Sequence, residues 1–281
     1  MHCKRQAIVA VPICILLLQI ASFGQVSDAA LPDLDHLWKR VRAHLGTQYD
    51  ANQLLKGYTY RRSSVIEELG SDGSVENREQ REYDVYHFNA GMFQKLLSKN
   101  GMPLSEKDVK SEDERFEKFR MQKPRRRSAA DQEKVLNDIV GAFDFKILRR
   151  EMRHDRSTLV IAFKPKKDAK VQTMAARMVF TKVEGTAWVD EEDAQLARIE
   201  MHFIDDAKIG FGLLASISKN TEMTREWRKL NNEVWAPLHS ESLVKGRVLL
   251  AKTYNRRRID DYMDYKKFSV DTTIKIFGVQ P

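Results

Sequence analysis

Gln195-Leu196-Ala197-Arg198-Ile199-Glu200-Met201-His202-Phe203 alternates apolar and polar residues. After Asp205-Asp206 the pattern resumes as Ile209-Gly210-Phe211-Gly212-Leu213-Leu214-Ala215-Ser216-Ile217-Ser218. Successive side chains of a strand point to opposite faces, so this alternation reads as two strands with one buried face. Ala197, Ile199, Met201 and Phe203 share that face in the first strand. Ile209, Phe211, Leu213, Ala215 and Ile217 share it in a second strand spanning 209–218. The small residues opposite them permit strong curvature. A continuously apolar sheet face must be covered, and amphipathic helices are the available cover.

Outward from this stretch the chain keeps the same character. Phe145–Arg153 and Thr158–Lys164 predict a hairpin around His154-Asp155-Arg156. Further strands are predicted over 185–190, 222–230, 233–245, 247–258 and from Ile259 towards Phe268, with Asn231-Asn232 among the turns. Short connections between consecutive strands predict an antiparallel meander. Upstream, 57–69 and 75–88 alternate on either side of Ser71-Asp72-Gly73-Ser74, and Asp-Gly between two such runs is a strong hairpin signal. Leu34, Leu37, Trp38, Val41 and Leu45 recur at helical spacing after Asp33 and predict a helix over 33–45. Two more helices are predicted in 104–143. One is highly charged and runs from Leu104 to Lys123. The other is capped by Ser128 and carries Val135, Ile139 and Phe143. The basic run Lys123 to Arg127 joins them as a solvated connector. Met174–Val183 predicts a short helix. The three longer helices are the candidates to cover the apolar face.

The fold class expected is α+β: a large curved antiparallel sheet, an open half-barrel wrapping a few helices. No stretch is rich enough in Pro or Gly to act as a linker, so residues 25–281 read as one domain.

The first 24 residues bound the function. Lys4 and Arg5 precede an apolar run from Ala7 to Ile20, and Ala21, Ser22 and Gly24 follow. Basic, apolar, small is the order of a secretory signal peptide, with cleavage expected after Gly24. The run is shorter than the roughly 20 residues a membrane-spanning helix needs. The chain is therefore expected in the periplasm, with secretion as the alternative. Both cysteines, Cys3 and Cys14, lie in this leader, so the mature chain has no disulfide and no thiol chemistry.

The formal charge is +8, and the leader contributes Lys4 and Arg5 with no acid, leaving +6 on the mature chain. That excess is interspersed with acids and reads first as an ordinary solvated surface; of the anionic partners it could meet, a membrane surface ranks above nucleic acid, which an exported protein seldom meets.

Gly185-Thr186-Ala187-Trp188-Val189-Asp190, an acidic turn and Leu196-Ala197-Arg198-Ile199-Glu200 resemble the strand, Asp turn, strand element of the lipoprotein-carrier-like superfamily. Asn231 to Pro237 and Tyr262 to Phe268 are similar to exported bacterial proteins of the same type. The resemblance covers roughly residues 140–270 and implies an open half-barrel with an apolar cavity for acyl chains. Leu104–Lys123 has no counterpart in that pattern.

Chemistry is otherwise sparse. His36, His44, His87, His154, His202 and His239 lack metal-ligand spacing. Neither Gly-x-Ser-x-Gly nor Gly-x-Gly-x-x-Gly occurs. Asp190, Glu191, Glu192, Asp193, Asp205 and Asp206 read as solvated turn residues rather than calcium ligands. No catalytic residue, metal or cofactor is expected.

The function expected is a non-enzymatic envelope protein that holds a lipid, an acyl chain or a lipoprotein. Ile199, Met201, Phe203, Phe211, Leu213, Trp188 and Trp235 are the candidate ligand wall. The alternatives are a protein-interaction sensor or assembly factor of the envelope, and an exported hydrolase.

Overall fold

The computed structural model describes residues 30–88, 91–122, 129–172, 174–209, 215–248 and 252–268. The leader 1–24, Ser128 and the basic run Arg125–Arg127 lie outside them, as do Phe211 and Leu213. Among the described residues thirteen strands form one sheet. They are β1 (Tyr58–Leu69), β2 (Val75–Phe88), β3 (Gly91–Lys99), β4 (Met102–Pro103), β5 (Phe143–Arg153), β6 (Arg156–Pro165) and β7 (Val183–Asp190). The rest are β8 (Leu196–Phe203), β9 (Ala207–Ile209), β10 (Ala215–Ile217), β11 (Glu222–Leu230), β12 (Val234–Val248) and β13 (Lys252–Lys267). The order across the sheet is β4-β3-β2-β1-β13-β12-β11-β8-β7-β6-β5, with β9 and β10 attached to β12. The pairings are antiparallel, and β4 and β5 are its two unjoined ends, so the sheet is open. Four helices complete the α+β fold: α1 (Leu34–Leu55), α2 (Glu106–Arg120), α3 (Ala129–Ala142) and α4 (Met174–Phe180).

Local chemistry explains the well-placed ends. The Asp33 side chain accepts from the His36 amide at 2.6 Å and caps α1. At the β1–β2 turn Gly73 takes φ +86°, and Asp72 Oδ1 accepts from the Ser74 amide at 3.0 Å. His154 and Asp155 both have positive φ, 47° and 62°, in the two-residue β5–β6 loop. Ser105 Oγ accepts from the Asp108 amide and starts α2.

The sheet departs from the sequence reading in four places. Residues 209–218 are not one strand. Ala215 pairs back with Ile209, so β9 and β10 form a hairpin. Alternation marks which residues share a face but survives a chain reversal.

Residues 252–267 make one strand rather than two. The polar run around Arg256 is carried in the sheet because Arg256 and Arg257 meet Glu68 and Glu67 on β1. Helix α1 continues past Leu45 to Leu55, where Leu55 packs with Tyr58, Val234 and Ala236.

Strand β3 was not foreseen, because 91–99 does not alternate. It is built by its neighbours. Glu112 on α2 accepts from the Leu96 amide at 3.0 Å, and Arg115 donates to the Gln94 carbonyl at 2.5 Å. Two side chains of α2 thus occupy polar backbone groups of a strand near the sheet edge, a site otherwise open to pairing with another chain.

The helices also divide differently from the expectation that all three longer ones cover one face. Leu37 of α1 packs on Leu159 and Ile161, while Ile139 of α3 and Val179 and Phe180 of α4 pack around Phe143, Phe163 and Val183. These three helices define the inner face. Helix α2 lies on the other face, where Phe116 and Phe119 meet Tyr86, Phe88 and Phe93 with centroids 5.2–6.2 Å apart.

Candidate functional site: a divided inner face

Cross-strand register sorts the inner face into rows. One row passes through Phe145, Phe163, Gly185, Met201 and Met223 from β5 to β11. It then continues as Ser242 and Arg258. The adjacent row passes through Ile147, Ile161, Ala187 and Ile199, then turns into Arg225, Ser240, Asp260 and Ser64. The inner face is therefore apolar from β5 to β8 and polar from β11 through β13 to β1. It is not continuously apolar, and the change occurs at β11.

The apolar half is an aromatic core with an open margin. Phe143 lies 5.2 Å from Phe163 and 5.5 Å from Phe180 between ring centroids. The Phe163 ring sits over Gly185, where a Cβ would come within 2.9 Å of it and 2.0 Å of the Glu200 carbonyl. Phe143, Phe163 and Val183 are buried, whereas Ile199, Met201, Phe203 and Met223 are only half-buried.

The polar half holds a buried ion pair. Arg62 is 3 % exposed and Asp260 7 %. The Arg62 guanidinium donates to Asp260 Oδ1 from Nε at 3.0 Å and from Nη2 at 2.8 Å. It also donates to Ser64 and Gln94 and lies 5.0 Å from the Tyr83 ring centre. Arg258 adds a second contact to Asp260 at 3.0 Å.

Beside this network Tyr60 stacks near Tyr262 and Tyr265, at 6.0 and 4.6 Å, and its hydroxyl meets His87 Nε2 at 3.1 Å. Burial, with the charge of Lys56 behind it, pushes the His87 imidazole down to about 4. Burial pushes the Tyr262 phenol up, and the nearby Arg225 charge opposes that push. Arg225 itself is exposed and has no hydrogen bond or ion pair among the described residues.

The outer face is charged and largely self-neutralised. Glu226 is buried and accepts from Arg153, His154 Nε2 at 2.9 Å and Arg198 Nη1 at 2.7 Å. Burial raises its carboxyl, and these donors and charges outweigh burial, so it sits below the usual carboxylate value. A cleft of about 830 Å³ crosses β5, β6, β7, β8 and β11, and its lining includes Phe145, Phe163, Met201 and Met223 of the apolar row as well as polar residues. The row Asp144, Lys164, Glu184, His202 and Glu222 along it sets basic residue types between acids, with His202 Nε2 3.2 Å from Glu184. Such a ladder satisfies itself and leaves little charge for a ligand.

Each candidate of the sequence reading has its place. Ile199, Met201 and Phe203 lie together on the apolar half of the inner face. Trp188 lies on the outer face, with the guanidiniums of Arg153 and Arg198 at 5.7 and 5.6 Å from its ring centre. Trp235 donates through Nε1 to Asp193 at 2.8 Å, near the β11–β12 turn. Trp188 and Trp235 are thus not brought together with Ile199, Met201 and Phe203, while Phe211 and Leu213 are outside the described residues.

The acidic turn is not simply solvated. Asp190 is fully buried and accepts from Arg156 at 2.6 and 2.8 Å, and Asp193 also meets Lys229 at 2.8 Å. Among the described residues no group of three His, Cys, Asp or Glu is placed to hold a metal ion. The residues sequence reasoning missed are Phe145, Phe163 and Met223 on the apolar side, and Arg62, Asp260 and Arg225 on the polar side. The first set carried a readable signal, since Phe143-Phe145-Ile147 and Ile161-Phe163 alternate.

No family model and no curated protein matches the chain. Solved structures that it is similar to include a LolA superfamily protein from Nitrosomonas europaea, at 12 % identity and a TM-score of 0.30, covering 85 % of this chain and 96 % of that one. A DUF1329 family protein from Desulfovibrio piger follows at 10 % identity and 0.28, covering 83 % and 95 %. The complex of Pseudomonas aeruginosa MucA and MucB matches at 7 % identity and 0.24, covering 83 % and 98 %.

Proposed function

We propose that this chain is an exported, non-enzymatic binding protein of the cell envelope. Its apolar half-face holds a lipid, an acyl chain or the acyl chain of a lipoprotein. One observation carries the reading: Ile199, Met201, Phe203 and Met223 stay half-buried beside a fully buried aromatic core, although α1, α3 and α4 already lie on that face. Apolar surface at the edge of a core gains about 25 cal/mol for each Å² it loses to a ligand, so a single long chain suffices for useful affinity.

The leader supports export: Lys4 and Arg5, an apolar run and small residues end near Gly24. Residues 25–281 then form one cysteine-free domain in the periplasm, and the basic excess of that segment assists docking at an anionic membrane surface.

The test is native mass spectrometry of residues 25–281, purified from a bacterial periplasm without detergent. The expected result is a bound mass that extracts into organic solvent as lipid. A bare polypeptide that also fails to take up added fatty acid contradicts the reading.

A further inference from the structure

We propose that the ligand of the apolar half-face is an anionic amphiphile, with Arg225 receiving its acidic head. This rests on the apolar-ligand reading above and names the ligand's chemical class.

Met223 and Arg225 are alternate residues of β11 and point to the same face. Met223 pairs with Met201, and Arg225 pairs with Ile199, both on β8. A chain lying along Met201, Met223 and Ile199 therefore ends beside the Arg225 guanidinium. On the far side Ser240 is the cross-strand partner of Arg225, and Ser242 that of Met223. Both serines are half-buried, and their hydroxyls can donate to an acidic oxygen.

The charges around this point select the sign of the head. Arg62 is committed to Asp260, Ser64 and Gln94, and Arg258 to Asp260. Arg225 is exposed, and among the described residues no carboxylate neutralises it. The nearest carboxylate of that row, Asp260, is already shared by Arg62 and Arg258. An uncompensated arginine at the end of an apolar strip favours a carboxylate or a phosphate, which it binds through paired N–H donors. A neutral head would leave it unpaired, and a cationic head would be repelled.

The probe is a dansyl-tagged undecanoic acid, compared with its methyl ester, in fluorescence titrations of the mature chain. The ester keeps the chain and the tag and loses only the negative charge. The acid is expected to bind about tenfold tighter than the ester at low salt, as one charge-assisted contact predicts. The gap should shrink as salt rises. Arg225→Gln, a substitution at an exposed position, should weaken the acid by that same factor and leave the ester unchanged, while Arg225→Lys should keep part of the preference.

Equal binding of acid and ester to the unsubstituted chain overturns the head-group proposal and leaves the apolar site standing. So does an acid affinity unaffected by Arg225→Gln. Binding of neither probe overturns the apolar-site reading and this proposal with it.

Discussion

The two halves of the inner face are built from the same antiparallel register and solve burial in different ways. From β5 to β8 the rows carry Phe, Ile, Met and Ala, and stability comes from area removed from water. From β11 to β1 the rows carry Ser, Arg and Asp, and burial is possible only because each charge has a partner. An apolar margin can exchange water for a ligand at no cost in broken bonds. A satisfied ion pair has nothing left to offer. The contrast fits the proposed binding role of the first half and gives the core of the second a structural role.

The largest expected effect tests the polar half. Asp260→Ala leaves Arg62 buried without its partner and should cost about 3–5 kcal/mol in urea unfolding. Replacing both, Arg62→Met with Asp260→Leu, should recover most of that loss, because paired apolar groups need no compensation. A double variant as unstable as the single one would show that Arg62 holds the sheet through its Ser64 and Gln94 contacts instead.

Next comes pH. His87 is held neutral, with a folded value of about 4 against an ordinary 6.5. The unfolded chain therefore takes up the proton first, and stability falls as the pH drops from 6.5 to 4, by roughly 3 kcal/mol in all. His87→Gln should flatten that part of the stability profile. An unchanged slope would show that this imidazole is not buried in solution.

Smaller effects sharpen the binding half. Met201→Ala, at a half-buried position, should cost about 1 kcal/mol of stability, less than the 2–5 kcal/mol of a fully buried site. The same change should lower lipid occupancy in native mass spectra. The smallest effect belongs to the outer edge. Glu112→Ala with Arg115→Ala removes the two α2 contacts to β3 and should cost about 1 kcal/mol. It should also raise self-association in analytical ultracentrifugation as that edge opens. A variant that stays as dispersed as the parent would show that the remaining α2 packing protects the edge unaided.

Much of this fold was legible because alternation and turn chemistry are local. Asp72-Gly73 and His154-Asp155 announced their hairpins, and Asp33 its helix. What lay beyond reach was set by register. Arg62 and Asp260 are far apart in sequence, and nothing local marks them as partners. The division of the inner face follows from which residue of β11 stands opposite Ile199, and that is a property of pairing. That Trp188 lies on the outer face was equally beyond reach, because a bulky aromatic residue on a strand signals burial without saying on which face.

The most direct test of the account compares two neighbouring positions on opposite faces. Met201 belongs to the inner apolar half. Thr186, opposite Glu200 on the adjoining strand, points to the outer face. Met201→Glu and Thr186→Glu, each checked for a native strand signal by circular dichroism, are titrated with the dansyl-tagged acid. The account predicts that the Met201 variant loses binding by tenfold or more, the equivalent of about 1.4 kcal/mol, while the Thr186 variant matches the parent. Loss of binding by the Thr186 variant with full binding by the Met201 variant would place the ligand on the outer face and contradict it.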